Sequence, residues 1–120
     1  MSGSGAGRRV RLSELAGVIR SKNSGPFELT LDVFFRTPEI FRRARALGLV
    51  DRELIRRLYR VRDDQVLEII WFEPAAAVKA TIAREVSSGS AGDTDVYGAQ
   101  QHMPLVDAEV QWDGPAPGGG

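Results

Sequence analysis

Between Phe27 and Phe35 the chain alternates strictly. Phe27, Leu29, Leu31, Val33 and Phe35 stand at every second position, with Glu28, Thr30, Asp32 and Phe34 between them. A period of two sustained over this length predicts a strand with one buried face and one open face. Such a strand needs a sheet around it and a covering layer on one side only. The rest of the chain must supply both.

Two covering helices follow directly. Thr37 is a good N-cap, Pro38 suits the first helical position, and Glu39 favours the positive end of the helix. Ile40, Phe41, Ala44 and Leu47 form one apolar stripe, and Gly48 is a natural stop. Asp51 caps a second short helix in which Leu54, Ile55 and Leu58 share a face opposite Arg52, Arg56, Arg57 and Arg60. Further strands are expected at 16–20, at 66–72 up to Pro74, from Val78 to about Glu85, and at 106–112, where Val106, Ala108, Val110 and Trp112 alternate with polar residues. Ser21 to Pro26 reads as a polar turn, and 87–95 as a long loop. Strands and helices are segregated, so the fold class is α+β. The simplest match is a ferredoxin-like split β-α-β arrangement: an antiparallel or mixed sheet of about five strands with two short helices on one face. The 120 residues suffice for one core. Residues 10–112 are expected to form it, between a Gly/Ser-rich tail at 1–9 and a Gly/Pro tail at 113–120.

Composition removes several functions. With no cysteine there are no disulfides, zinc ribbons, iron–sulfur clusters or thiol catalysis, which fits a cytoplasmic location. No apolar run is long enough to span a bilayer, and the first nine residues lack the apolar segment of a secretory signal. The formal net charge of zero hides an asymmetry: residues 1–60 carry 13 Lys+Arg and 6 Asp+Glu, and residues 61–120 carry 3 and 10. Arg36 to Arg62 is the densest basic stretch. It is read as the solvated faces of the two helices and not as a nucleic-acid site, because no aromatic RNA-binding motif accompanies it.

Two polar stretches carry possible chemistry. Arg20, Ser21, Lys22, Asn23 and Ser24, before Gly25, combine cations, hydroxyls and an amide in a way that suits a carboxylate or phosphate. A solvated turn explains them equally well. The second stretch runs from Gly92 to His102. His102, the one histidine, is the natural general acid or base, or else a structural residue. Tyr97 can steady an oxyanion or satisfy a turn. Gln100 and Gln101 suit an amide or carboxylate, or cap a sheet edge. Asp93 and Asp95 lack the further acids of a calcium loop, so no metal and no cofactor are expected. Glu73 with Lys79 is a third candidate pair, equally readable as ordinary turn and strand residues.

The stretches Val18–Thr30 and Gly92–His102 resemble the two signatures of a small bacterial family of unknown function, with the resemblance running over about residues 12–111. That family accompanies, or is fused behind, the acyclic terpene utilisation (AtuA-like) proteins. The layout is also similar to the ferredoxin-fold domain at the C-terminus of AtuA-like proteins, with Ile19 to Lys22, Leu29 to Phe35 and Thr37-Pro38-Glu39 as the matching parts. It departs at Asn23-Ser24 and at Pro74 to Ala77. The resemblance implies a small subunit that works with an AtuA-like large protein. The implied chemistry is addition or removal of water on a small hydroxy-carboxylate or acyl-thioester. Arg20, Ser21, Lys22, Asn23, Asp95, Gln100 and Gln101 would bind the anionic substrate, and His102 and Tyr97 would handle the proton. A non-catalytic module that stabilises the same partner is the alternative.

Overall fold

The computed structural model describes residues 7–24, 27–84 and 101–115. The elements in chain order are β1 (Arg8–Arg11), α1 (Leu12–Leu15), β2 (Ala16–Asn23), β3 (Glu28–Phe35), α2 (Pro38–Leu47), α3 (Arg52–Tyr59), β4 (Val66–Phe72), β5 (Ala77–Ala83), α4 (Met103–Asp107) and β6 (Glu109–Trp112). The main sheet is antiparallel, in the order β2-β3-β5-β4. Strands β3 and β4 flank β5 and are joined through α2 and α3. This is the split β-α-β unit of ferredoxin-like folds, with β2 in the remaining place beside β3. The protein is an α+β domain.

The alternation in β3 appears as expected. Leu29, Leu31, Val33 and Phe35 are buried, while Glu28, Thr30, Asp32 and Phe34 are only partly covered. Against the buried face lie Ile40, Phe41 and Ala44 of α2 and Leu54 and Ile55 of α3. Phe41 packs edge-on to Phe35 at 6.2 Å and to Trp71 at 5.8 Å, and Phe35 stacks on Trp71 at 6.1 Å. Burying a side chain such as Phe41 contributes about 2–3 kcal/mol. The caps hold both helices in place. The Thr37 hydroxyl accepts from the Ile40 amide at 3.1 Å, and the Asp51 carboxylate accepts from the Leu54 amide at 2.8 Å.

Four local expectations change. Ser21, Lys22 and Asn23 belong to β2, not to a turn, because each pairs in register with β3. An edge strand tolerates polar residues, since one side of its backbone faces water. The last strand is shorter than the alternation from Val106 suggested. Pro104 suits a first helical turn, and Met103–Asp107 form α4 before β6 begins. That strand also leaves the main sheet: β6 pairs with β1, register Val10 to Val110, in a separate two-stranded ribbon. β1 starts at Arg8, inside the stretch expected to be a tail. Its four residues bury only Val10, so ladder pairing and not composition makes it a strand. At the other end Trp112 is fully buried, and Asp113 accepts two hydrogen bonds from Arg43 at 2.7 and 2.6 Å.

The basic stretch is laced with acids. Arg42 and Arg45 both approach Glu73, Arg52 approaches Asp63, and Arg56 approaches Glu53. Arg52 also donates to the Val66 carbonyl at 2.7 Å, tying α3 to the start of β4.

Helix ends supply one test. Gly48 has φ 64 and Arg60 has φ 56, both left-handed. That backbone costs a side-chain-bearing residue roughly 1–2 kcal/mol, against a smaller unfolded-state gain. Gly48→Ala should therefore lose about 1 kcal/mol and Arg60→Gly should gain about 0.5 kcal/mol in urea unfolding.

Acid supplies another. The Arg43 hydrogen bonds hold the Asp113 carboxyl below its ordinary range. A depressed folded value gives stability that is present above the unfolded value, about 3.9, and lost as pH falls through the folded one. Wild type should lose more stability than Asp113→Asn on acidification below about pH 4. Equal loss in both would discount the pair.

Candidate functional site

Strand alternation sorts the first polar stretch onto two sides of the sheet. Arg20 and Lys22 share the open face with Asp32 and Thr30, their register partners. Arg20 donates to Asp32 at 3.2 Å and lies 4.8 Å from the centre of the Phe34 ring. Ser21 and Asn23 point the other way, in register with Leu31 and Leu29. These residues cannot close around one ligand as a single turn would.

Asn23 nevertheless belongs to a polar cluster at its end of the sheet. Arg84 follows directly on β5, and its amide donates to the Phe27 carbonyl at 2.6 Å. Its guanidinium Nη1 donates to Asn23 Oδ1 at 2.8 Å. Beside it, Tyr59 at the end of α3 donates its hydroxyl to the Gln101 carbonyl at 2.5 Å. Gln65 Nε2 donates to the Ala83 carbonyl at 3.1 Å. Arg84, Tyr59, Gln65 and Gln101 line a cleft of about 200 Å³ with Leu29, Val61, Ile82 and Ala83. The side-chain Oε1 of Gln101 is buried and accepts no hydrogen bond from the described residues. An unsatisfied buried acceptor costs about 1–3 kcal/mol, so a donor that reached it would be held.

The cleft joins one residue from each polar stretch, Asn23 and Gln101, through Arg84. His102 comes next in the chain but does not line the cleft. It opens α4, and its carbonyl accepts from the Leu105 and Val106 amides at 3.0 and 3.1 Å. Tyr97, Asp95 and Gln100, with Asp93, lie outside the described residues. Glu73 faces Arg42 and Arg45, while Lys79 is on the open sheet face opposite Asp32, so that candidate pair is separated. Among the described residues no group of three His, Asp or Glu gathers to hold a metal, and no helix is long and apolar enough to cross a membrane.

Sequence reasoning missed Arg84, Tyr59 and Gln65. Arg84 had one available signal: it is one of only three cations in the acidic second half. Tyr59 and Gln65 had none, because each is brought to the cleft by tertiary packing.

A family model for a domain of unknown function, DUF4387, matches residues 12–109. The chain belongs to the DUF4387 family. The match takes in every residue that lines the cleft, while β1 and most of β6 fall outside it. No curated protein and no solved structure matches this DUF4387 chain.

Burial pushes the Tyr59 phenol above its ordinary value of about 10. A raised folded value means that the folded state keeps a proton which the unfolded state gives up. The associated stability is complete below about pH 10 and is lost as pH rises beyond it. Tyr59→Phe should remove that alkaline loss. It should also cost about 1 kcal/mol at neutral pH by orphaning the Gln101 carbonyl. Denaturant unfolding at neutral and alkaline pH measures both.

Proposed function

We propose that this domain is the small subunit of a two-component enzyme, and that the Arg84 cleft binds the anionic end of a small hydroxy-carboxylate or acyl-thioester. The observation that carries the proposal is that one cleft is lined both by Arg84 and by Gln101, whose buried amide oxygen has no hydrogen-bond partner among the described residues. A hydroxy acid complements both. Its carboxylate accepts charge-assisted hydrogen bonds from Arg84, and its hydroxyl donates to Gln101 Oε1. Asn23 orients the guanidinium by accepting from it.

The groups in the cleft bind and orient; they are not acids or bases matched to neutral pH. A partner that completes the site agrees with that profile, and an AtuA-like large protein is the partner implied by the resemblance. The reaction in this reading is a hydration or dehydration. In the dehydrating direction a proton leaves the carbon beside the carboxylate, and the hydroxyl departs as water after protonation. His102, next to Gln101, and Tyr97 are the proposed proton carriers, alongside those of the large protein. Arg20, Lys22 and Ser21 stand apart from the cleft and take no part in it in this reading, and the pair is cytoplasmic.

The second reading is a module that only stabilises its partner. The open face of the main sheet favours it, because Val18, Ile70 and Phe72 are large apolar side chains exposed on it.

Co-expression with the large protein should yield one complex on size exclusion. Arg84→Ala and Gln101→Ala should leave that complex intact and lower turnover or kcat/KM at least about tenfold, equivalent to 1.4 kcal/mol. An intact complex with unchanged kinetics in both variants would favour the stabilising module. Separate elution, with full activity in the large protein alone, would sink both readings.

A further inference from the structure

The face of the main sheet turned away from the helices has an order that becomes visible row by row. In register across β2, β3, β5 and β4, the first row is Val18, Phe34, Ala77 and Phe72. The second is Arg20, Asp32, Lys79 and Ile70, and the third is Lys22, Thr30, Thr81 and Glu68. The face is therefore apolar at one end and charged further along, with Arg20 and Lys22 on β2, Asp32 on β3, Lys79 on β5 and Glu68 on β4.

Turning a second copy over about an axis parallel to the strands reverses each row from left to right and keeps its level. β2 then lies over β4, and β3 over β5. Lys22 comes over Glu68 of the second copy, and Asp32 over Lys79, and the symmetry makes each pairing occur twice. Val18 comes over Phe72. Phe34 comes over Ala77, the smallest side chain of its row. Ala77 forms part of a hollow of about 460 Å³ with Phe34, Ile70, Phe72 and Ala75. Apolar meets apolar and every charge named meets its opposite, except Arg20, which passes over Ile70 and remains paired with Asp32 of its own chain.

We propose that two copies of this chain pair face to face through this surface, as a two-fold sandwich of two four-stranded sheets. Aligned sheet packing requires this kind of facing with strand directions within about 30°. The face is about 19 Å wide and 23 Å long from strand spacing and rise. That is a small specific interface, for which micromolar affinity is expected. The Arg84 cleft lies at one end of the sheet on the helix-covered side, so the dimer goes beyond the proposed function and either can fail without the other.

The test uses the charge pattern. Lys22 and Glu68 are both exposed. They stand three strands apart in one chain, about 14 Å, and barely sense each other at physiological salt. In the dimer they face each other. Sedimentation equilibrium of the full chain up to about 100 μM should show a monomer–dimer equilibrium. Lys22→Glu and Glu68→Lys should each weaken it by at least about tenfold, and the double swap should restore it to within about threefold of wild type. Ile70→Asp should abolish it. Circular dichroism should show all four variants folded. A wild type that stays monomeric, a dimer indifferent to these variants, or single variants that the double swap does not rescue would each overturn the proposal. So would a monomer that a larger partner captures through Ile70 and Phe72.

Discussion

Everything in this domain depends on the register of β3. It is hydrogen-bonded on both sides, to β2 and to β5, and its side chains alternate between a helix-covered face and an open one. Slipping it by one residue would turn Leu29, Leu31, Val33 and Phe35 outward and bring Asp32 and Glu28 into the core. The cost of burying those carboxylates makes the register unambiguous. The same register carries Asn23 to Leu29 at the cleft end, and Arg20 to Asp32 on the open face. The positions of the candidate site residues are thus consequences of core packing, settled by the apolar alternation of β3.

That dependence explains what could be read from the sequence. β3, α2 and α3 were legible because their signals are local: a period of two, the Thr37 and Asp51 caps, and Gly48 past a helix end. The ribbon of β1 and β6 was not. Arg8, Arg9 and Arg11 resemble a solvated tail, and only pairing with Glu109–Trp112 makes them a strand. The α4 turn was hidden because Val106 and Ala108 continue by accident the alternation of the true strand. The cleft was legible in part. Asn23 and Gln101 were singled out as polar residues in dense stretches. Arg84, which joins them, lies in neither stretch and is recognisable only once β5 ends on the far side of β3 from β2's tip.

The charge asymmetry between the two halves resolves in space. The basic first half supplies α2 and α3, and the acidic second half supplies the partners Glu73, Asp63 and Asp113. A net charge of +7 against −7 along the sequence thus becomes, in part, a set of cross-chain pairs on the helical surface. Exposed pairs of this kind contribute little each. Their effect is on where the arginines point, which leaves fewer of them free for an anionic partner. Arg84 differs in that its side-chain partner among the described residues is the neutral Asn23.

The two faces of the sheet therefore have different work. The helix-covered face stores the stability of the domain, and its end beside Tyr59 opens into the polar cleft. The open face stores little of that stability, because its rows mix Phe34, Ile70 and Phe72 with Arg20, Asp32 and Lys79. A surface meant only for water would carry fewer large apolar side chains, and one meant only for a core would carry fewer charges. A mixture that maps onto itself under a two-fold turn suits a surface that meets its own copy. If the two proposals hold, variation of the open face alters assembly without disturbing β3's register, and variation at the cleft alters ligand preference without disturbing assembly. Separation of this kind follows from the antiparallel pleat itself, which sends neighbouring residues of one strand to opposite sides.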